Sequence, residues 1–227
     1  NILADCKGKK GKNVELTLED TAFLQYTGGT TGVSKGAELT HGNICANVSQ
    51  VEEWIGNNID EGKETVITAL PLYHIFALTA NCLTFFRYGA KNILITNPRD
   101  MKSFCADLKK NPFTAITGVN TLFIGLMNQD VFRQLDFSGM KLALGGGMAV
   151  QDVVADEWEE LTGCALLEAY GLSETSPAAT INPYNGKHKK GTIGLPLPNT
   201  DIRIFDDNRK EVPQGEPGEI GIKGPQV

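Results

Sequence analysis

Eleven residues, Tyr26-Thr27-Gly28-Gly29-Thr30-Thr31-Gly32-Val33-Ser34-Lys35-Gly36, hold four glycines, four aliphatic hydroxyls and one lysine. Glycines let backbone N–H groups come close to phosphate oxygens, hydroxyls donate further hydrogen bonds, and an ammonium adds positive charge without fixed geometry. The combination suits a loop that wraps a polyphosphate, because a plain surface turn has no use for so many hydroxyls beside a lysine. Spacing excludes the commonest phosphate loop: Lys35 lies between Ser34 and Gly36, and no glycine stands five residues before a Gly-Lys-Ser/Thr triplet.

Other residues have chemistry open to them, weighed against plainer roles. His74, one of three histidines with His41 and His188, sits among Tyr73, Ile75 and Phe76, a setting in which a histidine is most often packed and hydrogen-bonded. Tyr170 ends a strand-like run, where it serves a base as a stacking face or fills a core equally well. Gly145, Gly146 and Gly147 fail the dinucleotide fingerprint because Val150 stands where its last Gly or Ala is needed. Taken alone, Glu174 reads as a surface charge or a residue at a helix start.

These residues need a scaffold, and the apolar pattern supplies one. Strand-like runs at 66–70, 93–95, 113–117, 142–144 and 165–167 alternate with helical segments at 75–88, 101–110, 121–128 and 150–161. Asp100 caps the second of those helices, and Gly163 stops the last, whose stripe is Val150, Val153, Val154, Trp158 and Leu161. The order predicts an α/β fold: a mostly parallel sheet covered by helices, with ligand crevices at the carboxyl ends of strands. Gly145 to Gly147 and Tyr170 to Glu174 both follow strands directly. After about Ile181 glycines and prolines become dense, and alternating runs at 201–205 and 219–223 flank a turn at 206–208, which predicts the start of a smaller antiparallel β-rich subdomain near Gly191.

Four motifs in order carry a resemblance. The glycine-rich loop, Leu70-Pro71-Leu72-Tyr73-His74-Ile75-Phe76, Ala169-Tyr170-Gly171-Leu172-Ser173-Glu174 and Gly218-Glu219-Ile220-Gly221-Ile222-Lys223-Gly224 resemble the signatures of the adenylate-forming enzymes. These comprise acyl-CoA synthetases, luciferases and the adenylation domains of peptide synthetases. Thr96-Asn97-Pro98-Arg99-Asp100, Ala115-Ile116-Thr117-Gly118-Val119-Asn120-Thr121 and Leu144-Gly145-Gly146-Gly147-Met148 look most like bacterial long-chain fatty-acid:CoA ligases. The resemblance runs from about Leu24 to Val227. It implies an internal fragment of a large N-terminal domain, with a ribose-binding aspartate, a hinge and a small domain bearing a catalytic lysine beyond Val227. Residues 1–190 then form the nucleotide- and acyl-binding subdomain, with part of a preceding subdomain at 1–60, and 191–227 begin the β-rich one.

The activity so implied has two halves. A fatty carboxylate attacks the α-phosphate of ATP to give acyl-adenylate and pyrophosphate; CoA then displaces AMP. Thr27, Gly28, Gly29, Thr30, Thr31 and Gly32 would cradle the β- and γ-phosphates, with Lys35 adding charge. Thr27 and Glu174 would hold Mg²⁺, which takes one or two protein oxygens plus water and phosphate. Tyr170, with the backbone of Glu168 and Ala169, would line the adenine slot, where Ala169 replaces the glycine of many relatives and narrows it by one methyl. Ser173 keeps the hydroxyl of the family's usual threonine for the α-phosphate. Gly171, Ile75, Gly146 and Gly147 belong to the same nucleotide set, and Gly145 to Gly147 approach the acyl-adenylate through their backbone. His74 would orient the acyl group or gate CoA entry, not act as a base, since a carboxylate needs no deprotonation at neutral pH. Phe76, Val119, Asn120, Thr121, Phe123 and Gly145 are candidates for acyl contact; their plain alternative is core packing.

Composition bounds the rest. A net charge of -6 and few aromatics exclude a nucleic-acid surface. Five cysteines, Cys6, Cys45, Cys82, Cys105 and Cys164, stand singly and read as reduced, buried fillers in a cytoplasmic protein. No apolar run reaches the roughly 18 residues that span a bilayer, although a hydrophobic substrate is compatible with peripheral contact at the inner face of the cell membrane. Lys7-Gly8-Lys9-Lys10-Gly11-Lys12 reads as a solvated loop. Competing readings are an adenylating ligase for an aryl or amino acid and, for these 227 residues alone, a non-catalytic nucleotide-binding module; kinase signatures are missing. The 227 residues by themselves are expected to bind ATP weakly and to form little thioester.

Overall fold

The structure, a computed structural model, describes residues 5–11, 13–27 and 34–227. A seven-stranded sheet has the order β4-β3-β5-β6-β7-β8-β9. Its parallel part is β3 (Thr65–Thr68), β4 (Lys91–Leu94), β5 (Ala115–Gly118), β6 (Leu142–Gly145) and β7 (Leu166–Gly171). Two short antiparallel strands, β8 (Ala178–Ile181) and β9 (Leu195–Pro196), extend it. All four residues of β5 and of β6 are buried, as continuous apolar runs require when helices cover both faces.

Alternation along these strands divides the core in two. Ile67, Ile116, Ala143 and Leu166 face a layer built from α3 (Met101–Lys110), α4 (Asn120–Met127), α5 (Asp130–Arg133) and α6 (Asp152–Thr162). There Phe123 meets Trp158 edge to face, with centroids 4.9 Å apart. Val66, Ala115, Leu144 and Leu167 face the opposite layer, which contains α1 (His41–Ile55) and a helix whose π-helical part, Ala77–Leu83, continues into α2 (Thr84–Arg87).

The expected α/β order is present, and α3 has the expected bounds, capped by an Asp100 carboxylate that accepts from Ser103 N at 3.1 Å. The last large helix starts later than its apolar stripe suggests. Val150 and Gln151 instead give their N–H groups to the Glu168 carboxylate and the Asn120 side-chain carbonyl, both at 3.0 Å. Segment 75–88 is helical, but seven of its residues follow a π register. Buried Asn81 holds that register to the sheet by donating to Ile67 O at 3.2 Å and accepting from Thr117 Oγ1 at 2.7 Å. The expected antiparallel pair is β10 (Asp201–Phe205) with β11 (Glu219–Lys223). A further hairpin, β1 (Thr21–Thr27) with β2 (Lys35–Thr40), pairs Thr27 with Lys35 and so fixes both ends of the glycine-rich loop, whose residues 28–33 lie outside the described ones.

The cysteine reading needs correction. All five are free, but only Cys105 is buried, while Cys6 and Cys45 are exposed. Burial pushes the Cys105 thiol up, and the Cys164 thiol up to about 11. Among the described residues no helix is long and apolar enough to cross a membrane.

Away from the strand ends, Lys141 ties the loop before β6 to the loop before β3. Its ammonium lies 2.7 Å from Glu64, whose side chain is 0% exposed, and 2.8 Å from Asp60. Burial raises the Glu64 carboxyl, but hydrogen bonds from Lys141, Thr114 and the Asp60 N–H outweigh it and leave the group below its ordinary 4.5. A depressed carboxyl stabilises fully above its unfolded value and loses that contribution as pH falls through the folded one. Lys141→Met strands a buried carboxylate and should cost about 2 kcal/mol at pH 7, discounted from the buried-pair range because Lys141 is partly exposed. Denaturant melts of both proteins should show that gap narrowing as pH falls into the acid range and Glu64 takes up a proton; a constant gap would contradict the assignment.

Candidate functional site

The site is built where β6 and β7 end. A cavity of about 390 Å³ opens there, between the tip of β1, residues 74–80 and α1. Thr27 reaches it from β1; His74, Ile75 and Phe76 enter from the helix that follows β3; Gly146 and Gly147 follow β6; and Ala169, Tyr170, Gly171, Ser173 and Glu174 come from the end of β7 and the turn after it. Residues up to 147 positions apart in sequence, Thr27 and Glu174, therefore share one wall system.

Local geometry explains the residue types. A Cβ at Gly146 would stand 3.1 Å from the Phe76 ring and 3.3 Å from Ala169 O, so the backbone of this loop comes as close to its neighbours as it can. Gly147 adopts φ +76°, a conformation that favours glycine. After β7 the chain makes a 3-10 turn, Ser173–Thr175. Thr175 Oγ1 accepts from Leu172 N at 2.8 Å and also bonds Pro177 O, so the turn is closed by its own buried hydroxyl and Glu174 is left exposed at the cavity rim. Around the cavity, Glu174 is the one carboxylate among the described residues.

His74 is fixed through its main chain and one ring nitrogen. Its N–H donates to Pro71 O at 2.9 Å, and its Nδ1 accepts from Phe76 N at 3.2 Å. That bond selects the neutral tautomer with the proton on Nε2, which leaves an N–H donor at an exposed position. Thr27 Oγ1 donates to Lys35 O at 3.3 Å, so its lone pairs stay available to accept. A carboxylate and a hydroxyl on one cavity fit a hard cation that completes its shell with water and phosphate. Among the described residues no group of three or more His, Cys, Asp or Glu could hold a metal alone.

Other sequence candidates are placed differently. Lys35 pairs with Thr27 at the hairpin base and is exposed, and it is not among the cavity residues. Glu168 is not among them either: its carboxylate accepts from Val150 N and from Gly191 N at 3.1 Å, and its carbonyl from Asn182 N at 2.9 Å, so it organises the surrounding loops. Asn120 latches onto Gln151, Phe123 is fully buried against Trp158, and Thr121 is exposed. Gly145 is held by Val150, whose Cγ2 would lie 2.4 Å from an added Cβ, and Val119 stands 3.8 Å from one at Gly147. Gly28, Gly29, Thr30, Thr31 and Gly32 lie outside the described residues.

The structure also brings in residues that were not candidates from the sequence. Asn47 and Val51 of α1, Thr79 and Ala80 of the π-helical segment, Leu144, and Pro177, Ala178 and Ile181 around β8 complete the cavity. Leu144 apart, which opens the quoted glycine motif, no local motif marks them, since they converge only through tertiary packing.

Comparison with known proteins places this geometry. Residues 2–227 match the AMP-binding enzymes. A long-chain-fatty-acid–CoA ligase of Escherichia coli O6:H1 is 59% identical over 213 residues, covering 94% of this chain and 38% of that protein. One from Haemophilus influenzae is 54% identical over 230 residues, covering 100% of this chain and 41% of that protein. The crystal structure of ATP-bound MatB from Rhodopseudomonas palustris superposes with a TM-score of 0.83 at 31% identity, over 99% of this chain and 44% of that one. The chain thus spans less than half the length of these relatives. With a family match along nearly its whole length, and with His74 to Phe76 and Ala169 to Glu174 of two of the matching motifs on one cavity, the chain belongs to the AMP-binding enzyme family.

Proposed function

We propose that this chain is the nucleotide- and acyl-binding part of a long-chain fatty-acid:CoA ligase that uses ATP, Mg²⁺ and CoA. The observation that carries the reading is the single cavity in which Thr27, His74, Gly146, Tyr170, Ser173 and Glu174 meet. Both partners in the first half-reaction are anions, so the protein's work is alignment and charge neutralisation, not nucleophilic attack. Tyr170 and the Ala169 backbone take the adenine, and the Ser173 hydroxyl bonds the α-phosphate. His74 offers Nε2–H to the fatty carboxylate and holds it in line with the phosphorus. Ile75, Phe76, Leu144 and Ile181 give the acyl chain an apolar wall and exclude water. Thr27 and Glu174 hold Mg²⁺, which supplies positive charge at the phosphate oxygens when bound. In the second half-reaction the CoA sulfur attacks the acyl carbon, the bond to AMP breaks, and the thiol proton leaves to solvent.

The reading carries the chain division with it: residues 1–190 serve nucleotide and acyl group, with part of a preceding subdomain at 1–60, and 191–227 begin a β-rich subdomain. It also places the parent enzyme in the cytoplasm, with peripheral contact at the inner membrane face where a hydrophobic acid partitions. Amino-acid activation is disfavoured because a carboxylate that would pair with an ammonium is missing from the acyl wall among the described residues. Pyrophosphate release by the full-length protein, measured across acetate, octanoate, palmitate, benzoate and amino acids, decides. Palmitate should exceed acetate and amino acids at least tenfold, and a preference for amino acids refutes the reading.

A further inference from the structure

Beside the cavity, three carboxamides form a continuous buried chain across elements distant in sequence. Asn47, on the cavity wall, binds the backbone of Ala178 at both groups: its Oδ1 accepts from Ala178 N at 3.1 Å and its Nδ2 donates to Ala178 O at 2.8 Å. The same Nδ2 donates to Gln50 Oε1 at 3.2 Å. Gln50 Nε2 in turn donates to Pro198 O at 2.7 Å and to Gln226 Oε1 at 3.1 Å. Gln226 Nε2 donates to Thr200 Oγ1 at 2.8 Å, and Gln226 O accepts from Ser176 Oγ at 2.9 Å. Asn47, Ser176 and Gln226 are 0% exposed and Gln50 is 5% exposed, so any partner lost here leaves a polar group stranded away from water.

Both ends of this chain grip the segment that carries Glu174. Ser176, in a left-handed conformation at φ 67°, stands two residues after Glu174 and is tied to the Gln226 carbonyl. Ala178, four residues after it, is tied to Asn47. Besides the turn's own Thr175 bonds, the segment is therefore held by hydrogen bonds from α1 and from the segment after β11. We infer that Asn47, Gln50 and Gln226 are positioning residues, which hold the Glu174 carboxylate at its distance from the nucleotide and link that distance to the segment following β11. The inference rests on the reading of Glu174 as the magnesium-binding carboxylate.

The test uses the full-length protein, ATP with and without Mg²⁺, and two variants. Gln226→Met keeps side-chain length and removes the carboxamide; Ser176→Ala cuts only the tie between turn and segment. Calorimetry should show Gln226→Met raising the Kd for ATP at least tenfold with Mg²⁺ and less than twofold without it, and Ser176→Ala should show the same split at about threefold. Hydrogen exchange across residues 172–178 should accelerate in both. If Gln226→Met does not fold, Ser176→Ala decides alone. An equal loss of affinity with and without Mg²⁺, or unchanged exchange in 172–178, overturns the inference while leaving the proposed function standing. Wild-type ATP binding that ignores Mg²⁺ overturns the reading of Glu174, and the inference with it.

Discussion

Glu174→Ala should remove the magnesium dependence of ATP binding and lower acyl-adenylate formation by the full-length protein by about 10²–10³-fold, the range for loss of one preorganised electrostatic contact. The fold should not change. Glu174 is exposed, and the 3-10 turn around it is held by Thr175, Ser176 and Ala178, not by its carboxylate. A surface substitution of this kind moves stability by no more than about 0.5 kcal/mol. Loss of function with an unchanged melting temperature is therefore the signature. Calorimetric titration of ATP with and without Mg²⁺ separates two outcomes. If the variant keeps full metal dependence, the cation is held elsewhere and Glu174 is a rim charge. If dependence disappears and metal-free affinity stays, the carboxylate is the protein's share of the cation's shell.

That result would bear on why this residue was legible from sequence at all. Glu174 has no intrinsic mark as a ligand; what singles it out is its place in a motif at the end of a parallel strand, where α/β sheets place their crevices. The same logic made the glycines after β6 readable, because both motifs follow apolar residues buried in central strands, Leu142 to Leu144 and Leu166 with Leu167. Helix α3 was equally plain, with Asp100 at one end and lysines at the other. What escaped was whatever violates the simple periods. Helix α1 buries Asn47 and Gln50 on its core face, so its apolar stripe is interrupted where it matters most, and only the Thr40 cap hints at it. The π-helical register of Ala77–Leu83 depends on Asn81 reaching β3 and β5, contacts invisible to a local window. Phe123 illustrates the converse: the sequence makes it a candidate for acyl contact, yet the helix turns it toward Trp158 and into the core.

Gly171→Ala should be the most damaging single methyl in the site. An added Cβ would lie 1.7 Å from Pro177 O and 2.7 Å from Pro177 C, backbone atoms that no rotamer change can clear. The two segments must be that close because Leu172 N donates to Pro177 O at 3.2 Å and Thr175 Oγ1 bonds the same carbonyl. Relief requires β7 and β8 to separate where Gly171 pairs with Ala178, which opens the wall of the cavity itself. Overpacking against rigid neighbours costs about 1–3 kcal/mol, and a clash with backbone belongs at or above the top of that range. For a chain of this size about 3 kcal/mol corresponds to a fall in Tm of roughly 6–12 °C. ATP affinity should fall with it, with and without Mg²⁺ alike, because Tyr170 and Ser173 move together with Glu174. That uniform loss distinguishes the variant from Glu174→Ala, in which only the metal-dependent part disappears. Scanning calorimetry and the two titrations measure both effects; a Gly171→Ala protein with native Tm and native ATP affinity would mean that the end of β7 is not packed against Pro177 in solution.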